Sequence, residues 1–162
     1  MSDPFTILID HREQRAGYTE LLTCATEVGH LLTGDYSVKE MPGLAVVERK
    51  AKADLYGVVG QGRERFEKEL KRITDEFIYS AIVVEATYAS LLMSPGFTNI
   101  RPDQVVTAII SWNQVYNVPF FFVGNREQGA EFTQKFLAHA WKYRHALVER
   151  LLLNHEDDDD DA

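Results

Sequence analysis

The sequence predicts an α/β domain: a mixed central sheet with helices on both faces. Three observations carry that reading. Short apolar runs at Phe5–Ile9, Ala81–Val84 and Pro119–Val123 have the length of buried strands. The segments between them place apolar residues at helical spacing. Two further strand-like runs flank the turn Met41-Pro42-Gly43. The resulting order is strand, helix, two-strand hairpin, helices, strand, helix, strand, helix, which a helix-covered mixed sheet accommodates.

Each element has its own justification. Phe5–Ile9 reads as a buried strand that delivers Asp10, His11, Arg12 and Glu13 at its C-terminal end. Tyr18, Leu21, Leu22, Ala25 and Val28 recur at helical spacing, and Gly29 supplies a stop, so a helix is expected over Tyr18–Val28. The single Cys24 sits on its apolar face, where a buried structural role is expected. Tyr36–Glu40 and Leu44–Lys50 form the hairpin. Ala53–Val59 reads as one or two helical turns, broken by Gly60-Gln61-Gly62. Arg63–Phe77 is an amphipathic helix with Phe66, Leu70, Ile73 and Phe77 as its buried stripe. Tyr79–Ala86 is a central strand with Glu85 near its end, and Met93–Arg101 is a loop. Arg101-Pro102-Asp103 opens a helix to about Tyr116, with Val106, Ile109, Ile110 and Val115 apolar. After the strand Pro119–Val123, one long helix is expected over about Gln128–Leu153.

Length and composition bound the class. The 162 residues suit one domain with a sizeable core, expected over 1–154, with an acidic disordered tail over 155–162. No apolar run approaches the ~18–20 residues of a membrane span, and the N-terminus lacks the pattern of a secretory signal. One cysteine excludes an intrachain disulfide and fits a reducing compartment. The expected location is intracellular: cytoplasmic in a prokaryote or virus, nuclear in a eukaryote. The net charge of −8 is uneven, because Glu156 to Asp161 contribute six acids and no base. Removing them leaves 25 − 6 = 19 acids against 17 bases, so the body is nearly neutral at −2 and any basic surface is local.

The hairpin concentrates the chemistry. With Met41–Leu44 as a four-residue loop, Glu40 pairs with Ala45 and partner numbers sum to 85. Lys50 then lies opposite Asp35, and Glu48 opposite Ser37. Strand side chains alternate, so Asp35, Glu48 and Lys50 point to one face. Two carboxylates and an ammonium converging there are costly unless a cation and an anion sit between them. A divalent metal and a phosphate meet that demand. Hard carboxylate oxygens select Mg²⁺ or Mn²⁺, with Asp35 and Glu48 as the ligand core and Lys50 facing the attacking water or the developing charge.

Gly34-Asp35 followed by Glu48-Arg49-Lys50 and Asp54 resembles the GD…ERKxxxD signature of the XPF/Hef-type nuclease domain, within the restriction-endonuclease-like D…(D/E)xK nucleases. The resemblance covers roughly Phe5 to Arg144. It implies a restriction-endonuclease-like sheet and a Mg²⁺- or Mn²⁺-dependent endonuclease acting on branched or single-strand-containing DNA in repair or recombination. It also implies association in twos, through the last helix and the Arg101–Tyr116 helix. At the site it implies that the backbone carbonyl of Arg49 joins Asp35 and Glu48 at the metal. The Arg49 side chain is expected on the opposite face, as a DNA contact or a structural ion pair. Asp10 matches an acid placed beside the metal, and Arg12 and Glu13 fit the D-x-R-E string. Asp54 is positioned to hold Lys50 or a water at the metal. Gln61 and Arg63, at a helix N-terminus, with Lys68, Lys71 and Arg72 beyond them, form a candidate phosphate track.

Structural readings stand beside these. Arg63–Arg72 is interleaved with Glu64, Glu67 and Glu69, the pattern of a salt-bridged solvent face. Glu85 reads as a solvated strand end. His11, His30, His139, His145 and His155 show no metal-ligand spacing and read as structural or surface residues. Trp112 and Trp141 read as core or interface. The acidic run reads as a solubilising tail or a docking peptide for another protein. Larger members of the resembled family carry helix-hairpin-helix modules, and none is expected in the nine residues after Leu153. The alternative function is a non-catalytic DNA-binding subunit that pairs with an active partner. Such subunits typically lose the acids that this chain keeps.

Overall fold

The computed structural model describes residues 3–13 and 17–159, with side chains to residue 152. A six-stranded sheet runs in the order β2-β1-β3-β4-β5-β6. The strands are β1 (Thr6–Asp10), β2 (Ala25–Gly29), β3 (Tyr36–Val38), β4 (Ala45–Ala51), β5 (Tyr79–Glu85) and β6 (Phe120–Phe122). The pairs β1–β2, β4–β5 and β5–β6 are parallel, whereas β1–β3 and β3–β4 are antiparallel. The expected mixed sheet is therefore present. Its helices are α1 (Lys52–Val59), α2 (Arg63–Glu76), α3 (Tyr88–Leu91), α4 (Pro102–Tyr116), α5 (Arg126–Lys142) and α6 (Arg144–Asp159).

Alternation along β4 divides the core. Val46 packs with Phe66, Leu70, Ile82, Val84, Val105 and Trp112, beneath α1, α2 and α4. Ala45 and Val47 pack with Ile7, Ile9, Tyr36, Val83 and Leu137, beneath α5. Even-numbered β4 residues thus face the α1/α2/α4 layer, and odd-numbered ones face α5. Trp112 is core, edge-on to Phe66 at 4.9 Å.

Three sequence expectations need correction. Residues 18–28 do not form a helix. Tyr18 is buried in a turn, stacked on Tyr36 at 5.1 Å, and 25–29 is an exposed edge strand parallel to β1. Of the residues at helical spacing, Tyr18 is buried and Leu21 and Leu22 are half-buried, but Ala25 and Val28 are exposed, so no continuous buried stripe forms and pairing to β1 outweighs the helical pattern. Cys24 is accordingly only half-buried, though burial still raises its thiol pKa. The long last helix breaks at Tyr143 (φ −100°, ψ 11°) into α5 and α6. The α4 helix itself is as expected; of its apolar residues Ile109 is buried with Val105, Ala108 and Trp112, and Ile110 and Val115 are exposed. The hairpin register differs too. Tyr36 pairs with Val47 and Ser37 with Val46, so partner numbers sum to 83 rather than 85.

The register shift has a local cause. β3 ends at Val38, and Lys39 and Glu40 form a turn that stops pairing with β4, while the Lys39 N–H still donates to the Thr6 carbonyl at 3.0 Å. Lys39 pairs with Glu27, and the Glu40 carboxylate accepts from the Thr6 N–H at 2.9 Å. The tight turn itself is as expected. Pro42 occupies its second position, Gly43 has φ +84°, and the Leu44 N–H donates to the Met41 carbonyl at 3.1 Å. The backbone of α6 continues to Asp159, so 155–159, expected as tail, is helical; 160–162 lie outside the described residues.

Candidate active site

Three acids line up across three strands. β1 pairs with β3 through Ile9 and Tyr36, and β3 pairs with β4 through Tyr36 and Val47. Continuing the β1–β3 register by one residue sets Asp10 opposite Asp35, which lies just before β3; its N–H donates to the Val47 carbonyl at 3.0 Å and its carboxylate accepts from the Arg49 N–H, which seats it beside Glu48. The Asp10 N–H donates to the Asp35 carbonyl at 2.9 Å, in keeping with that alignment. A two-residue register shift preserves the parity of side-chain direction. Asp35, Glu48 and Lys50 therefore share a face, as the sequence predicted, with Asp10 in the same row. Gly34 makes this approach possible: its φ is +79°, and a Cβ there would sit 2.1 Å from Val46 Cγ2.

The site is under-neutralised. Burial, followed by the charges of Glu48 and Glu13, pushes Asp35 up to about 9. Burial pushes Glu48 up to about 7, against the pull of Lys50. Lys50 Nζ lies 2.6 Å from Glu48 Oε1 and 4.9 Å from the Phe66 ring centre. Burial alone would lower Lys50, but Glu48, Glu69 and Asp35 together raise it. Asp35 Oδ2 accepts from the Arg49 N–H at 2.8 Å. Glu48 Oε2 is buried with no hydrogen-bond donor among the described residues other than the neighbouring Asp35 carboxyl. A buried carboxylate oxygen without a cation or N–H, next to a second carboxylate, fits a divalent cation held by hard oxygens.

Asp10 has no solvent exposure. Burial acts to raise its pKa, yet Arg12, the Leu31 N–H and His11 hold it below the usual carboxylate value. Arg12 Nε bonds Asp10 Oδ2, and Arg12 Nη2 donates to the Leu31 carbonyl at 3.1 Å. Asp35 and Glu48 also raise the Arg12 pKa, which places its charge beside them.

The Arg49 side chain lies on the opposite face. Its Nε is 2.8 Å from Glu13 Oε2 and its Nη1 is 3.1 Å from Glu85 Oε1. Glu13 also accepts from the Tyr36 hydroxyl at 2.9 Å. The guanidinium is 11% exposed, so here the structural ion pair describes its surroundings, and Glu85 is an ion-pair partner rather than a solvated strand end. Asp54 is exposed in the first turn of α1, whereas the Lys50 ammonium is engaged by Glu48.

Gln61 and Arg63 are exposed at the start of α2. Arg63 pairs with Glu67 at 2.9 Å and lies over Trp112, while Lys68 pairs with Glu64 and Lys71 with Asp75. The salt-bridged face is therefore real. Arg65 and Arg72 enter no ion pair among the described residues.

Sequence reasoning missed two features. Glu69 of α2 reaches Glu48 and Lys50 electrostatically, which required the position of α2 on the sheet. His11 and His30, far apart in sequence, have ring centres 5.5 Å apart. A strand assignment for 25–29 would have brought them together.

Such a frame and site define the class: an α/β domain with a mixed sheet, its acids carried on the hairpin and the first strand. The chain belongs to the ERCC4 domain family, whose model matches residues 9–136. Its fold is similar to that of XPF from Aeropyrum pernix, with TM-score 0.69 and 18% identity, covering 94% of this chain and 73% of that one. It is also similar to XPF from Aeropyrum pernix in complex with DNA, with TM-score 0.67 and 20% identity, covering 83% of this chain and 64% of that one. At these identities the likeness is one of fold. No curated protein matches the sequence at a significant level.

Proposed function

We propose that this protein is a metal-dependent, structure-specific DNA endonuclease that hydrolyses phosphodiester bonds in branched or single-strand-containing DNA during repair or recombination. The carrying observation is the row Asp10–Asp35–Glu48 with Lys50 on the same face and, among the described residues, no cation or N–H reaching Glu48 Oε2. Asp35 and Glu48, with the backbone carbonyl of Arg49, are the groups that would hold Mg²⁺ or Mn²⁺. When bound, the ion supplies charge neutralisation at the scissile phosphate and makes the attacking water more acidic. Lys50, pinned by Glu48, offsets charge on the phosphorane-like transition state. Asp10 holds Arg12 beside the acids, where the guanidinium meets a phosphate oxygen. Asp54, in the first turn of α1 four residues past Lys50, orients water at the mouth of the site. Gln61, Arg63, Lys68, Lys71 and Arg72 guide the DNA backbone, with Arg49 bracing the sheet below.

The test is a panel of labelled forks, flaps, Holliday junctions and single strands, incubated with Mg²⁺, Mn²⁺ or EDTA. Cleavage with either metal and none in EDTA is expected. Intact substrates throughout would leave the non-catalytic DNA-binding subunit as the better reading. An intracellular location is part of the same proposal, and a protein partner for the acidic tail is a further element of it.

We also propose a homodimer. Tyr143 and Leu152 on or beside α6 are 50% and 60% exposed, and Ile110 and Val115 of α4 are likewise exposed. The two helices cover opposite faces of the sheet, so an interface using both wraps around a sheet edge. Light scattering at micromolar concentration should give twice the 18.5 kDa chain mass, and a strictly monomeric mass removes the dimer.

A further inference from the structure

We propose that Asp10, His11 and His30 form a second cation site, for a borderline divalent ion such as Zn²⁺, separate from the Asp35–Glu48 pair. One ligand atom from each of the three lies within 4.8 Å of the others, and His11 Nδ1 is 3.2 Å from Asp10 Oδ1. The parallel register accounts for the meeting. Asp10 pairs with Gly29, so the next residues on each strand, His11 and His30, emerge at the same level.

The donor set decides the ion. Two imidazoles and one carboxylate suit Zn²⁺ and its neighbours, whereas Mg²⁺ takes an all-oxygen shell. The Asp10 carboxylate is prepared for the task. Arg12 bonds Oδ2 and fixes the carboxylate plane, while Oδ1 accepts from the Leu31 N–H at 3.3 Å and lies 3.2 Å from His11 Nδ1. Both imidazoles are exposed, so the ion would keep open positions toward solvent. It would also join the end of β1 to the loop that follows β2. That edge strand has no buried residue, so a clip at this end supplies a hold that packing does not.

The inference does not rest on the nuclease reading, and its test removes the other site first. Untagged full-length protein carrying Asp35→Asn and Glu48→Gln is titrated with Zn²⁺ by calorimetry, and with Co²⁺ by visible absorption. One Zn²⁺ per chain is expected, with Co²⁺ giving the intense d–d bands of a low-coordinate nitrogen-containing site. His30→Ala and, separately, His11→Ala in that background should weaken Zn²⁺ binding by about tenfold or more. Zn²⁺ should raise the melting temperature of the background protein and leave that of the His30→Ala variant unmoved. Excess Mg²⁺ should not displace the ion. No binding in the background protein, equal affinity after loss of either histidine, or displacement by Mg²⁺ would each overturn the proposal.

Discussion

The two faces of β4 treat charge in opposite ways. On the α5 side, Arg49 is matched by Glu13 and Glu85, and Glu13 gains the Tyr36 hydroxyl. On the α2 side, Glu48 and Asp35 share one lysine; both are pushed toward protonation, and among the described residues no cation or N–H reaches Glu48 Oε2. The residues are adjacent in sequence and similarly shielded from water, so burial alone does not separate them. What separates them is satisfaction. A buried charge that the protein completes holds the fold together, and one that it leaves incomplete is set up for something from outside.

The largest expected effect breaks the incomplete side. Asp35→Asn or Glu48→Gln should reduce cleavage by at least about 10³-fold while leaving folding and DNA binding largely intact, because each removes a ligand without changing side-chain size. Single-turnover cleavage with a parallel binding isotherm is the check, and a variant cutting at near wild-type rate would remove the ligand assignment. Lys50→Ala should lower turnover by about 10²-fold and spare metal affinity, since the ammonium offsets charge rather than binding the ion. Calorimetric metal titration tests this, and lost binding would contradict the role.

The matched side should fail differently. Arg49→Ala strands Glu13 and Glu85 with little access to water, and should cost about 3–5 kcal/mol of stability. Urea denaturation measures it. Stability unchanged, with DNA binding weakened, would return Arg49 to the set of DNA contacts.

The same contrast explains what the sequence made legible. Side-chain parity along a strand is a property of numbering, so the convergence of Asp35, Glu48 and Lys50 was visible although the register was two residues off. Register itself depended on where Lys39 and Glu40 stop pairing with β4. There the Lys39 N–H donates to the Thr6 carbonyl and the Glu40 carboxylate accepts from the Thr6 N–H, and Thr6 is far from the hairpin in sequence. The helix expected over 18–28 failed for a related reason. Tyr18 owes its burial to Tyr36 and to the close approach of Gly129, where a Cβ would meet its hydroxyl at 2.2 Å, and not to a helical stripe. Partners of Arg49 on two other elements, the reach of Glu69 and the meeting of His11 with His30 all arise from tertiary arrangement, which no local pattern encodes.

The smallest expected effect concerns α2, where the charges are complete but exposed. Lys68 and Lys71 each have a carboxylate one turn away and are more than two-thirds open to water. Such pairs add little to stability, because solvent and salt screen them and holding two long side chains costs entropy. Lys68→Ala and Lys71→Ala should therefore leave the denaturation midpoint unchanged within error. If the DNA backbone crosses this face, each ammonium exchanges its carboxylate for a phosphate, and each substitution lowers the slope of log affinity against log salt by about 0.7–0.9. The loss should be the same for every DNA sequence, since a phosphate contact carries no base information. Binding isotherms across a salt series decide it. Slopes that coincide with wild type would show that these pairs only dress the surface of α2, and would move the DNA track toward Arg65 and Arg72.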